Sequence, residues 1–199
     1  MQKPAAQVLR SSRERYFVPE SARQVMLVVG GSLFVALCAH ITVPLPFTPV
    51  PLTLQNFAVL LVGLLLGSRR GFAALVLYLA EGAVGLPVFN PAGAGGMAQL
   101  FHGATAGFLL SYPLVAWVAG YVMEHGRRSF ARAAIGGLLG ELVLFTGGLA
   151  WLAVLTHSIV QAFRWGLYWF LFAEVIKVMM AAGIAVRFHR SAADTTKAQ

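Results

Sequence analysis

Apolar residues fall in six long blocks separated by short polar, proline-rich or glycine-rich breaks. The blocks run from Gln24 to Val43, Leu52 to Gly67, Gly71 to about Leu86, Ala104 to Met123, Ala133 to Leu155 and Gly166 to Val186. At about 16 to 23 residues each, they have the length of helix needed to cross a hydrocarbon core ~30 Å thick. The first block ends in Pro44, Pro46, Pro49 and Pro51, a run that cannot continue a helix. Ser68-Arg69-Arg70 closes the second. Residues 87–103 are uncharged and rich in Gly, Ala and Pro, which reads as a loop or a re-entrant segment. The pattern predicts an all-α integral membrane protein, a bundle of six transmembrane helices. It divides the chain into a basic tail (1–23), a membrane domain (24–186) and a polar, frayed tail (187–199). No fixed-period repeat or long linker interrupts it.

Composition supports the same class. Of 199 residues, 58% are hydrophobic and only 11% charged, against about 25% charged in soluble domains. A cytosolic enzyme, a disordered chain and a disulfide scaffold are excluded. The single Cys38 has no partner for an internal disulfide, and Leu37 before it does not fit a lipoprotein anchor. The first block is too long for a cleaved signal peptide.

The net charge of +8 would suggest nucleic acid in a soluble protein, but its placement says otherwise. Thirteen of the 15 Lys and Arg residues lie in segments 1–23, 68–70, 124–132 and 187–199. Segments 44–51, 87–103 and 156–166 hold one, Arg164. That split places both termini in the cytoplasm. No nucleic-acid-binding motif is present, so no nucleic-acid partner is expected.

Charges inside the apolar blocks are costly and mark candidate functional positions. They are Glu81, Glu141, Glu174 and Lys177. Glu174 and Lys177 stand three residues apart and share a helix face near the outer end of the sixth block. They form either a structural ion pair or the polar floor of a substrate cavity. Glu141 reads as a structural hydrogen-bonding group and Glu81 as a solvated or loop-anchoring residue. His40, His102 and His157 do not have metal-ligand spacing, so no metal is expected. No lysine follows a glycine, so there is no phosphate-binding Gly-Lys-Ser/Thr and no ATP site. No nucleophile–base signature is visible, and no catalytic residue or cofactor is assigned. Small residues four apart (Gly63-Gly67-Gly71, Gly103-Gly107, Gly136-Gly140) suit close helix packing within the chain. Ser32 and Ala36 form a similar pair and are a candidate surface for a protein partner.

Three stretches carry a resemblance. Pro49-Val-Pro-Leu-Thr-Leu-Gln55, then Gly85-Leu-Pro-Val-Phe-Asn90 with Ala94-Gly-Gly96, and the end of the sixth block that carries Glu174 resemble the BioY family. Its members are substrate-binding S components of energy-coupling-factor (ECF) biotin transporters. The resemblance spans about Arg23 to Val186. It implies an S-component bundle in the cytoplasmic membrane of a prokaryote. It also implies biotin as ligand, with Asn90, Glu174 and Lys177 as polar contacts. The expected partners are a transmembrane coupling subunit (EcfT/BioN-like) and two ATPase subunits (EcfA/BioM-like). Many family members have Pro-Gly-Asp with Lys three residues on; this chain has Phe172-Ala173-Glu174 and Lys177.

The chemistry of biotin suits these residues. A carboxylate accepts from ureido N–H groups, and the Asn90 amide can donate or accept. Gln55, Phe89 and Trp151 are candidates for the cavity or its lid. Three helical residues rise only ~4.5 Å, so Glu174 and Lys177 serve the same end of an extended ligand. Lys177 is expected to neutralise Glu174 and bond the ureido oxygen, with capture of the tail carboxylate as the alternative. An S component for another small vitamin, an integral-membrane enzyme using Glu141 or Glu174, and a pore are the competing readings.

Overall fold

The computed structural model describes residues 19–197, with side chains to Ser191. The basic positions Lys3, Arg10, Arg13 and Arg15 of the expected N-terminal tail lie outside the described residues. Among these there are eight helices and one minimal strand pair. In chain order the helices are α1 (Glu20–Ala39), α2 (Gln55–Leu66), α3 (Ser68–Ala83), α4 (Gly96–His102), α5 (Ala106–Glu124), α6 (Phe130–Thr156), α7 (Ile159–Gly166) and α8 (Leu171–Lys197). The strands β1 (Thr42–Val43) and β2 (Leu52–Thr53) pair antiparallel, Thr42 opposite Thr53, and pinch together the ends of the proline-rich link.

Helices α1, α5 and α6 are long and apolar enough to cross a membrane. The α7–α8 pair forms a fourth such unit, bent by 50°. α2 is apolar but only 12 residues long. Its position accounts for that composition: Gln55 to Leu64 are all buried, so α2 is the central rod of the bundle. It packs on α1, α3, α5 and α8.

Close approach around this rod depends on small residues. A Cβ on Gly63 would lie 2.9 Å from the Ala116 Cα, and one on Gly71 would lie 3.1 Å from the Gly63 Cα. The seam joins α2, α3 and α5, which is the intramolecular packing expected of the glycine spacing. Gly67 turns α2 into α3 at φ +85°, a conformation that favours glycine.

The basic segments meet at one end. There the Glu124 carboxylate accepts from the Ser68 backbone N–H at 3.0 Å and from its hydroxyl at 2.6 Å. The His189 ring nitrogen Nε2 lies 3.1 Å from the Leu64 carbonyl. At the opposite end the 44–51 link meets α7, where the Thr48 hydroxyl donates to the Trp165 carbonyl at 2.8 Å.

Several sequence expectations are corrected. The first helix starts at Glu20, four residues early, because Pro19 precedes it and Glu20 takes hydrogen bonds from Arg23 and Gln24. The tail after Arg187 is not frayed: α8 continues to Lys197. The sixth block is not one straight helix. Ser32 and Ala36 do not form an open patch; they are 0% and 8% exposed, and the Ser32 hydroxyl donates to Glu81 on α3. Glu81 is therefore a tie between α1 and α3 rather than a solvated loop residue. The small side chains of α1 face inward because α3 packs on them, and Val25, Met26, Val29, Leu33 and Leu37 face outward.

Candidate ligand-binding site

At the end bearing the uncharged loops lies a cavity of about 540 Å³, counted out to its mouth. Its wall draws on nearly every element. The link between α1 and α2 supplies Val50, Pro51 and Thr53, and the start of α2 supplies Gln55 and Asn56. Asn90 comes from the loop after α3, Gln99 from α4, and Tyr112 from α5. Glu174 and Lys177 come from α8, and Phe108, Phe145 and Phe170 add aromatic surface.

The floor is a chain of hydrogen bonds across three helices. Lys177 Nζ donates to Glu174 Oε1 at 2.7 Å. Asn56 Nδ2 donates to Glu174 Oε2 at 2.7 Å and to Glu141 Oε1 at 2.6 Å. All four residues are less than 9% exposed. Two carboxylates thus share one amide nitrogen, and the ammonium bonds Glu174. Buried charge persists only when paired and hydrogen-bonded, and this network supplies both for Glu174. Glu141 has the structural hydrogen bond expected of it, though to an amide on α2 that the sequence reading overlooked. Asn56 Oδ1 and Glu141 Oε2 are buried and accept no bond from the described residues.

The opposite wall is set by local backbone chemistry. Asn90 Oδ1 accepts from the Ala92 backbone N–H at 2.9 Å, a side-chain turn of the kind Asn favours. That bond occupies one lone pair of the oxygen and leaves the Asn90 amide nitrogen without a partner among the hydrogen bonds of this turn. Gln55 Nε2 donates to the Tyr78 hydroxyl at 2.8 Å, which donates to the Val88 carbonyl at 3.1 Å. This relay ties the cavity rim to the Asn90 loop. Gln99 Oε1 accepts from the Gly95 backbone N–H at 3.1 Å and holds the next turn.

The link supplying Val50 and Pro51 to the cavity wall is tied to the bend supplying Gly166 and Phe170. Thr48 bonds the Trp165 carbonyl, and the Phe47 ring lies 4.2 Å from that of Trp169. The α1–α2 link is thereby latched onto the α7–α8 bend.

The structure brings Asn90, Glu174, Lys177 and Gln55 to one cavity. It does not bring Phe89 or Trp151 there. Phe89 packs edge-on against Tyr78 at 5.4 Å and against Gly82, inside the core. Trp151 donates from Nε1 to the Gly103 carbonyl at 2.8 Å and anchors the α4–α5 junction. Asn56, Gln99 and Tyr112 went unnoticed in the sequence. Asn56 carried a signal, an amide in the first turn of an otherwise apolar helix, where polar groups are costly. The arrangement suits a neutral heterocycle: N–H donors of the ligand meet Glu174, and its acceptor meets Lys177 or the Asn90 amide.

The profile of the BioY family matches residues 8–194. A protein of Pyrococcus horikoshii named probable biotin transporter BioY is 38% identical over 170 residues, covering 83% of this chain and 96% of that one. The biotin transporter BioY of Thermotoga maritima is 36% identical over 148 residues, 74% of this chain and 86% of its own. Among solved structures, the S-component for biotin from an ECF-type ABC transporter superposes with a TM-score of 0.78 at 21% identity. That match covers 86% of this chain and 93% of the other, and it shows a common fold. With a family profile spanning nearly its whole length, and relatives above 35% identity over most of theirs, the chain belongs to the BioY family.

Proposed function

We propose that this chain is the biotin-binding membrane subunit of an uptake transporter, a binding and translocating protein rather than an enzyme. Its BioY relatives carry the name of biotin transporters. The observation that carries the reading is the cavity floor, where Glu174 is held between Lys177 and Asn56 and faces a wall bearing the Asn90 amide. Glu174 accepts from the ureido N–H groups of biotin. The Lys177 ammonium, 2.7 Å from Glu174, serves that same end and donates to the ureido oxygen together with Asn90. The phenyl rings and Tyr112 enclose the bicyclic rings, and the valerate tail points toward the latched loops.

Six spans are formed by α1, α2, α3, α5, α6 and the bent α7–α8 unit, with both termini cytoplasmic in the cytoplasmic membrane of a prokaryote. The basic segments then lie inside and the cavity opens outward. The chain has no phosphate-binding loop of its own. The energy of uptake comes from a transmembrane coupling subunit (EcfT/BioN-like) and two ATPase subunits (EcfA/BioM-like).

Calorimetry with biotin on the purified full chain tests the reading. Saturable one-to-one binding that Glu174→Gln weakens strongly is the expected result. Absence of binding by correctly folded wild-type protein would overturn it.

A further inference from the structure

At the basic end of the bundle, α3 and α5 enclose a surface pocket outside the biotin reading. It is lined by Arg69, Arg70, Trp117, Tyr121, Glu124 and His125, with Leu66 and Ser68 behind them. An apolar groove lined by Arg69, Phe72, Leu114 and Trp117 adjoins it, so Arg69 and Trp117 border both. Trp117 and Tyr121 stand four residues apart on α5, and His125 caps its C-terminal end. The Trp117 and Tyr121 rings stack at 5.3 Å, and the His125 ring lies tilted against Tyr121 at 4.0 Å. Trp117 and Tyr121 are 41% and 45% exposed.

The charge of this pocket is uneven. Glu124 is engaged by the Ser68 backbone N–H and hydroxyl. Among the described residues, Arg69 and Arg70 make no ion pair within 4 Å, although Arg70 contributes to the field at Glu20. Two guanidiniums against one already bonded carboxylate leave a net positive pocket. Guanidinium groups match phosphate oxygens in fixed fork geometry. Tryptophan and tyrosine favour the headgroup level of a bilayer. A positive pocket that continues into an exposed apolar groove along the same two helices has the form of a charged headgroup with its acyl chain.

We propose that Arg69 and Arg70 take the headgroup phosphate of an anionic phospholipid, with the Trp117–Tyr121 ladder beside its glycerol and an acyl chain along Phe72 and Leu114. The site is independent of the biotin reading and faces the opposite end of the molecule.

Thermal unfolding of the detergent-purified full chain, with phosphatidylglycerol or phosphatidylcholine added, tests this. Phosphatidylglycerol should raise the midpoint by several degrees more than phosphatidylcholine, and high salt should shrink the difference. Arg69→Gln/Arg70→Gln should remove the preference, while Arg127→Gln/Arg187→Gln, with the same charge change elsewhere, should keep it. Equal shifts from both lipids would overturn the site. So would equal loss in both double variants, which marks a diffuse basic surface, or an equal shift from inorganic phosphate, which marks a soluble anion. A single cooperative thermal transition of Arg69→Gln/Arg70→Gln without added lipid, at a midpoint near that of wild type, shows that the variant is folded. If that variant does not fold, Trp117→Leu with both arginines intact should lose most of the lipid shift, and an unchanged shift there would also overturn the proposal.

Discussion

The Asn56 amide nitrogen reaches the Glu174 carboxylate at 2.7 Å across 118 positions of sequence, joining the central helix to the last one at the floor of the cavity. This bond fixes which oxygen of Glu174 faces Lys177 and which faces α2.

Removing that amide should weaken biotin binding without abolishing the fold. Asn56→Ala leaves Glu174 Oε2 and Glu141 Oε1 short of a donor, a loss of about 1–3 kcal/mol, roughly 5- to 150-fold in Kd. Asn56→Asp should be worse, because it turns the shared donor into a third carboxylate. Calorimetry on both variants checks the order; equal affinities would show that charge at this position is irrelevant.

Glu174→Gln and Lys177→Ala should each weaken binding on the order of 100-fold or more, since breaking a buried pair strands the survivor. The double variant should lose less than the two single losses combined. An amide of biotin separates the two roles of Lys177. Equal weakening of biotin and its amide in Lys177→Ala places the ammonium at the ureido end, and a selective loss of biotin places it at the tail.

For Glu141, Gln and Ala variants should differ. Glu141→Gln retains an oxygen for the Asn56 amide, whereas Glu141→Ala removes it and opens a void. Thermal unfolding should show Glu141→Ala less stable than Glu141→Gln by about 1–3 kcal/mol.

On α1, Ala36→Trp should reduce stability and folded yield, because Ala36 is buried against its neighbours and overpacking costs about 1–3 kcal/mol. Leu37→Trp, on the outward face, should stay within about 0.5 kcal/mol of wild type. Equal thermal midpoints for the two would contradict the orientation of α1.

Phe47→Ala and Thr48→Val should loosen the hold of the α1–α2 link on the α7–α8 bend, both of which contribute to the cavity wall. Faster entry and exit of biotin, read by stopped-flow fluorescence, with a smaller change in equilibrium affinity is the expected outcome.

Much of this architecture was legible in the sequence. Each apolar block contains a helix, because the cost of exposing backbone to lipid allows little else. Glu174 and Lys177 stood out because charge is rare in such blocks. The facing of α1 was not legible: the spacing of Ser32 and Ala36 shows that something packs closely there, but not which helix. Nor was the break at residues 167–170, since Leu167-Tyr168-Trp169-Phe170 contains no glycine or proline. Asn56 was hidden for another reason. Its partners are distant in sequence, and only the three-dimensional packing gives a lone amide two carboxylates to serve.

That break bears on the missing Pro-Gly before Glu174. The backbone from Phe170 onward is regular, with the Glu174 N–H donating to the Phe170 carbonyl at 2.9 Å, so the interruption lies a turn earlier than Phe172-Ala173. Because α8 begins afresh at Leu171, Glu174 sits in its first turn. The start of a helix carries about half a positive elementary charge in its exposed peptide dipoles. A continuous sixth span would have left two acids facing a single ammonium in hydrocarbon. Severing that span places a second, fixed source of positive potential beside Glu174, one made of backbone alone and beyond the reach of any side-chain substitution that preserves the bend.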